Sequence, residues 1–161
     1  MKFKCVILSS LVALPFLANA ADGTATINVS ADVNPSVGIV SANNTPLTDI
    51  QLAFVPGKGL QAGTEQVRLA SNDATKGVDV SLANDMQLTN AADASTVKMT
   101  ITLADKTLST TATNFGKDLF AKGETSPLQL SVKPTDQTAS KDLKAGHYTG
   151  TINLVLAQSA K

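Results

Sequence analysis

The sequence is poor in the residues that build catalytic and metal sites. It contains one cysteine, one histidine and no tryptophan in 161 residues. The histidine, His147, has no cysteine and no carboxylate pair beside it in the sequence, so it suits neither a zinc site nor a Ser-His-Asp triad. The stretch Gly57-Lys58-Gly59 is too short for a phosphate-binding loop and is typical of a turn. We therefore predict no enzyme activity, no metal and no cofactor.

Aromatic residues and charge runs are also scarce. Aromatic side chains make up 4% of the chain, whereas a sugar-binding face usually needs several flat aromatic surfaces. The 13 basic and 13 acidic residues are dispersed along the sequence. Dispersed charges of both signs form neither a nucleic-acid-binding patch nor a membrane-surface patch. We expect no nucleic acid among the partners, and we count the low aromatic content against a carbohydrate-binding module.

The first 20 residues have the three parts of a secretory signal peptide. A basic start precedes an apolar stretch over residues 6–17, and Ala18-Asn19-Ala20 supplies the small-x-small cleavage signal. The apolar stretch is short for an uncleaved membrane anchor. We predict a mature chain that begins at Ala21, which leaves enough residues for one domain. Cys5 lies in the leader, so the mature domain has no disulfide and must gain its durability from burial or assembly.

The first mature segment, residues 24–33, alternates strictly between polar and apolar side chains. A period of two over ten residues is typical of a half-buried strand. Asn34-Pro35 ends the segment, because proline supplies no amide hydrogen to a β-ladder. The segment is therefore predicted to be a separate strand at a free end, with one apolar face that needs a groove. The residues of that face are Ala25, Ile27, Val29, Ala31 and Val33.

Seven further alternating runs follow, separated by polar, glycine and proline breaks. Their short lengths, their threonine and valine content and the turns between them favour an antiparallel two-sheet β-sandwich. The last run, residues 148–156, is the longest. Between Phe115 and Phe120 the pattern also allows one short helical turn. The seven runs occupy residues 37–39, 50–55, 67–69, 78–83, 97–103, 128–133 and 148–156.

Four sequence blocks together resemble the major subunits of the colonization factor antigen I type of fimbriae, the class 5 or alternate chaperone-usher (alpha-fimbrial) pilins. The blocks are T-I-N-V-S-A-D-V-N-P at residues 26–35, N-D-A-T-K-G-V-D-V-S-L-A at 72–83, L-S-T-T-A-T-N-F at 108–115 and A-G-H-Y-T-G-T-I-N-L-V-L at 145–156. They spread over nearly all of the mature chain. None of them is a catalytic motif.

The resemblance implies an all-β fold: an incomplete immunoglobulin-like antiparallel β-sandwich that lacks its last strand. The N-terminal extension of a neighbouring subunit, the donor strand, would fill the open groove. On this chain the donor strand corresponds to residues 24–33, with the five apolar residues above as its inserted side chains and Asn34-Pro35 as a hinge. By family analogy, part of the groove lining would come from the last run, at Tyr148, Ile152, Leu154 and Leu156.

The resemblance also implies a function and a set of partners. We expect the major structural subunit of a fimbria, which supports cell adhesion and is exported through the periplasm to the cell surface. Its expected partners are identical subunits, a periplasmic chaperone, an outer-membrane usher, a tip adhesin subunit and a host-cell receptor. Three regions follow from this interpretation: the signal peptide at 1–20, the donor-strand extension at 21–35 and the sandwich body at 36–161.

Two other functions remain open at the level of sequence. A minor or tip subunit that contacts a host receptor would keep the same fold, but the mature chain leaves no room for the additional binding domain of a tip adhesin. A secreted, monomeric carbohydrate-binding sandwich would need a complete fold without the first strand, and it would need the aromatic platform that the sequence lacks.

Overall fold

The computed structural model describes residues 29–31, 36–73 and 75–160. Within these residues the chain forms β-strands joined by turns and two short 3-10 helices, η1 (Lys117–Leu119) and η2 (Ala139–Asp142). Among the described residues we find no helix that could span a membrane. The strands are β1 (Val37–Ser41), β2 (Phe54–Val55), β3 (Gly59–Leu60), β4 (Gly63–Ser71), β5 (Val78–Leu82), β6 (Gln87–Asn90), β7 (Thr96–Leu103), β8 (Lys106–Leu108), β9 (Thr113–Phe115), β10 (Phe120–Ala121), β11 (Glu124–Thr125), β12 (Leu128–Pro134), β13 (Tyr148–Thr149) and β14 (Leu154–Gln158).

The larger sheet is built around β4, β12 and β7. Its strand order is β10-β11-β4-β12-β7-β6-β13, with β1 paired to β4 and β8 paired to β7. Every described pairing in it is antiparallel. The register places Val67 opposite both Ser41 of β1 and Leu128 of β12. β4 thus lies between the first strand and the centre of the sheet.

The smaller sheet has the order β14-β5-β9, and a separate hairpin joins β2 to β3. In β5, Val78, Val80 and Leu82 are buried, while Asp79 and Ser81 between them are more accessible. This alternation is what a strand with one face against a core produces. A backbone hydrogen bond of 2.7 Å from Leu82 N–H to Ser109 O links β5 to the segment that follows β8.

One apolar core lies between the two sheets. Strands β4, β7 and β12 contribute from one side, and β5 and β9 contribute from the other. Such a shared core is the physical basis of a two-layer sandwich. Its largest fully buried apolar side chains are Phe115, Leu69, Ile101, Leu103, Val67, Val78, Val80 and Val132.

The structure confirms the predicted all-β, antiparallel fold. Five of the seven predicted runs coincide wholly or largely with part of one strand each, namely β1, β4, β5, β7 and β12. In the run at 50–55 only Phe54–Val55 is paired, and residues 50–53 belong to no strand. The allowed helical turn between Phe115 and Phe120 is present as η1, followed directly by β10.

The prediction of one uninterrupted last strand was wrong. Residues 148–149 pair with β6 of the larger sheet, whereas residues 154–158 pair with β5 of the smaller sheet. The chain therefore crosses from one sheet to the other at residues 150–153. Gly150 makes the crossing possible, because a Cβ atom there would collide with the carbonyl oxygen of Gln87. Period-two alternation continues across this crossing, so the sequence pattern did not reveal it.

Candidate functional site

Two strands on opposite sheets each have one unpaired edge. In the described part of the chain, β1 pairs only with β4, and β14 pairs only with β5. Some Cα atoms of β1 and β14 approach within 8 Å, yet no ladder in the described residues joins the two strands. An unpaired strand edge presents backbone N–H and C=O groups that are available to another strand.

The inward-facing side chains of β14 are only partly covered. Leu154 and Leu156 pack against the core but stay partly accessible, and Val155 between them is 48% exposed. Ile152, in the crossing segment, packs in the same way. An inward face that ordinary core packing would bury is thus left partly open along the whole strand.

β1 and residues 50–53 show the same incomplete burial. Val37 and Ile39 on β1 pack against the core without being buried. Ile50 and Leu52 do the same in residues 50–53. Gly63 lets both approach β4, since a Cβ atom at that position would collide with Ile50 Cγ2 and with Leu52 Cδ2.

We call these partly covered apolar residues the open edge. Its first wall lies on β1 and residues 50–53, and its second wall lies on β14 and the crossing segment before it. At one end the side chain of Gln158 donates a hydrogen bond of 3.2 Å to Ser71 Oγ. This bond connects β14 to β4, the strand with which β1 pairs. The open edge consists of Val37, Ile39, Ile50, Leu52, Ile152, Leu154 and Leu156.

The chemistry of the open edge is apolar contact and backbone pairing. None of its seven side chains titrates, and all of them are aliphatic. Among the described residues, moreover, no cluster of three or more histidine, cysteine, aspartate or glutamate side chains is arranged to hold a metal ion. Proteins that recognise an extended strand do so through main-chain hydrogen bonds and pockets for alternate side chains, and both kinds of contact are compatible with this surface.

Of the predicted groove residues, Ile152, Leu154 and Leu156 lie on the open edge, while Tyr148 belongs elsewhere. Tyr148 pairs with Asn90 of β6 in the larger sheet. Its hydroxyl donates to Lys144 O at 3.2 Å, and it lies 3.3 Å from Ser95 Oγ in the turn between β6 and β7. This position makes Tyr148 a connection between the chain before β13 and that turn.

An ion pair strengthens the same connection. Lys144 Nζ lies 3.3 Å from Asp93 Oδ2. The hydroxyl and backbone N–H of Ser95 both donate to Asp93 Oδ1, and these bonds, followed by Lys144, lower the pKa of the Asp93 carboxyl below its usual value. Hydrogen bonds to the charged form of a carboxylate favour that form. We call Asp93, Ser95, Lys144 and Tyr148 the turn latch.

Most of the predicted donor strand lies outside the described residues. This applies to Ala25, Ile27 and Val33, and also to the predicted hinge at Asn34-Pro35. Val29 and Ala31 are described; both are exposed, and the side chain of Val29 is 90% accessible. Residues 29–31 form no strand in the described structure.

Sequence reasoning did not assign the first wall of the open edge. Val37, Ile39, Ile50 and Leu52 were recognised as alternating apolar residues, but alternation identifies faces of a strand and not the edges of a sheet. The breaks after these runs, Asn43-Asn44-Thr45-Pro46 and Pro56-Gly57, gave no such signal, because breaks of this kind also bound the runs that form central strands.

Comparisons with known proteins agree on one family. The family model of the CS1 type fimbrial major subunit matches residues 24–157. The chain is 32% identical over 167 residues to a CFA/I fimbrial subunit of Escherichia coli, covering 97% of this chain and 98% of the relative. It is 29% identical over 171 residues to a CS1 fimbrial subunit of Escherichia coli, covering 99% of each.

A solved structure agrees with this result. The CooA pilin subunit from enterotoxigenic Escherichia coli superposes with a TM-score of 0.70 at 28% identity, covering 77% of this chain and 88% of that one. The family match spans both walls of the open edge. The chain belongs to the CS1 type fimbrial major subunit family and is a structural subunit of a surface fimbria, which is built from identical copies.

Proposed function

We propose that this subunit polymerises by donor-strand complementation, in which residues 24–33 of one copy add a strand to the open edge of the next. The observation that supports the proposal most directly is the contrast in burial between inward-facing side chains. Those of β4, β5, β7 and β12 include Val67, Val80 and Leu103 at 0% exposure. Those of β1 and β14 remain partly accessible. An added apolar strand would remove that difference.

The sequence of the donor segment fits such an edge. Alternate residues of 24–33 are apolar, and a strand inserts only one of its faces. Burial of the three larger side chains (Ile27, Val29 and Val33) at roughly 1.5 to 3 kcal/mol each would contribute about 5 to 9 kcal/mol. About eight main-chain hydrogen bonds would add roughly 0.5 to 1.5 kcal/mol each. Ordering of the segment offsets part of this sum.

Donor and edge belong to different parts of the same chain, so the contact is head-to-tail. A head-to-tail contact generates an open filament when the rotation between copies does not close a ring. This geometry agrees with a fimbria built from identical copies. It assigns no catalytic role to any residue.

The proposal also covers export of the subunit and the replacement of its chaperone by the donor strand of the next subunit. An unassembled subunit with an exposed apolar edge is prone to aggregate. A periplasmic chaperone would cover the open edge after signal-peptide removal, and an outer-membrane usher would exchange the chaperone for the donor strand of the next subunit. A tip adhesin subunit would occupy the end of the filament, with any contact to a host-cell receptor made there or along the shaft.

Deletion of residues 21–34 tests the proposal. The shortened subunit should remain folded with its chaperone but should not form filaments, because each copy keeps an edge and lacks a donor. Electron microscopy of cells that express the deletion is the measurement. Filaments of normal length from the deleted chain would refute donor-strand polymerisation by this segment.

A further inference from the structure

Ser36, the first described residue after the predicted hinge, is held by two hydrogen bonds to Asn72. The Ser36 N–H donates to Asn72 Oδ1 at 2.7 Å. The Asn72 N–H donates to Ser36 O at 3.2 Å. Because Val37 pairs with Ser71, this contact extends the β1–β4 ladder by one residue.

The residue beside Asn72 is fixed on several sides. Ser71 is 6% exposed, and its N–H donates to Gly123 O at 2.8 Å. Its hydroxyl oxygen accepts from the Asp73 N–H and from Gln158 Nε2, each at 3.2 Å. Gln158 ends β14, one wall of the open edge. The backbone that carries the Asn72 side chain is therefore tied both to the last strand and to the turn before β11.

We propose that Asn72 is a positioning residue for filament geometry: its side-chain oxygen clamps Ser36 to the sandwich and confines pivoting of the N-terminal extension to residues before Ser36. The inference rests on the proposed function, in which that extension is the link between consecutive subunits. With the clamp closed, Ser36 moves with β1 and β4. With the clamp open, Ser36 keeps only the bond from the Asn72 N–H to its carbonyl oxygen, and the range of angles between neighbouring subunits widens.

The clamp can open without unfolding the body. Ser36 and Asn72 are both exposed, so water can replace the lost acceptor. The net contribution of one such hydrogen bond corresponds to about a twofold to tenfold change in the ratio of closed to open forms. Asn72→Ala should therefore change the stiffness of the filament much more than the stability of the subunit.

Assembled filaments of four chains test the clamp: wild type, Asn72→Ala, Asn72→Asp and Asn43→Ala. Hydrogen exchange followed by mass spectrometry reports on the Ser36 amide, and electron micrographs give the bending persistence length. In Asn72→Ala filaments we expect that amide to exchange about twofold to tenfold faster and the persistence length to be shorter. Asn72→Asp keeps an acceptor oxygen and should resemble wild type. Asn43→Ala, in the exposed turn after β1, is the matched control.

Two results would overturn the clamp: Asn72→Ala filaments with wild-type exchange and stiffness, or Asn72→Asp filaments as altered as those of Asn72→Ala. If Asn72→Ala yields no filaments, Ser36→Pro removes the donor of the same bond and leaves Asn72 intact. Ser36→Pro filaments as stiff as wild type would then refute the role. These outcomes are separate from failure of donor-strand polymerisation, which the deletion of residues 21–34 reports whatever Asn72 does.

Discussion

The closed and open sides of the sandwich use the same kinds of side chain and reach different degrees of burial. Ile101 of β7 has strands on both sides and is 1% exposed, whereas Ile39 remains partly accessible on β1, which pairs with one strand among the described residues. Likewise Val80 is fully buried on β5, and Leu156 opposite it on β14 is not. Residue type alone therefore does not determine which apolar residues form the finished core. In the proposed assembly, the missing neighbour marks the edge that a second copy would fill.

The largest expected effect is on the donor strand. Val29→Asp would place a charge in the apolar edge, where burial of an unpaired carboxylate is strongly unfavourable, so we expect filaments to be lost. Asn28→Asp changes the opposite face of the same strand and should be tolerated. Electron microscopy and heat-sensitive multimer ladders on gels measure both. Equal effects of the two substitutions would show that the inserted face, or the strand itself, is assigned wrongly.

The second prediction compares one residue type on the two sides. Ile101→Ala should destabilise the subunit by about 2 to 5 kcal/mol, because it leaves a cavity in a closed core. Ile39→Ala should cost less in the unassembled subunit, since that side chain is already partly hydrated.

Urea unfolding in the absence and presence of a synthetic peptide of residues 24–33 measures this difference. The peptide should increase the cost of Ile39→Ala and leave that of Ile101→Ala nearly unchanged. An equal cost at both positions without peptide would contradict the distinction between open and closed sides.

The smallest expected effect concerns the turn latch, which lies away from the open edge. The pKa of Asp93 is lowered by the Ser95 hydrogen bonds and by Lys144, so its ionised form is favoured in the folded state. Its contribution to stability is present above the unfolded pKa, near 3.8, and is lost as the pH falls through the lower folded pKa.

Asp93→Asn should thus lower Tm slightly at pH 7, and the difference from wild type should vanish in strong acid. Thermal melts between pH 7 and pH 2 follow this change, with Asp49→Asn in the exposed loop after β1 as control. Normal filaments are expected from both variants. A difference for Asp93→Asn that grew in acid would exclude the latch as its source.

Some features of the fold followed from local patterns, and others did not. Alternation located β4, β5, β7 and β12 because each has one buried face. It missed β6 (Gln87–Asn90), which lies within a polar, alanine-rich stretch that resembles a linker. It also treated residues 148–156 as one strand, since the change of sheet at Gly150 leaves the period of two intact.

The candidate site, too, could be predicted from the sequence only in part. The sequence indicated Ile152, Leu154 and Leu156 through the family resemblance, and these residues lie on the open edge. Tyr148 came from the same reasoning, but its hydroxyl contacts Ser95 and Lys144 in the turn latch. The assignment of residues 24–33 as donor remains a prediction, because only three of those ten residues are described.

By itself, the sequence determined the fold class and the alternation of polar and apolar residues in the N-terminal segment. Both depend on residue identity and on spacing along the chain. Only the tertiary structure decided that β1 and β14 each pair with a single strand among the described residues, and that Ser36 is fastened to Asn72. The reason is physical: whether a strand has a neighbour on each side depends on contacts between residues far apart in sequence, which a local period of two does not encode.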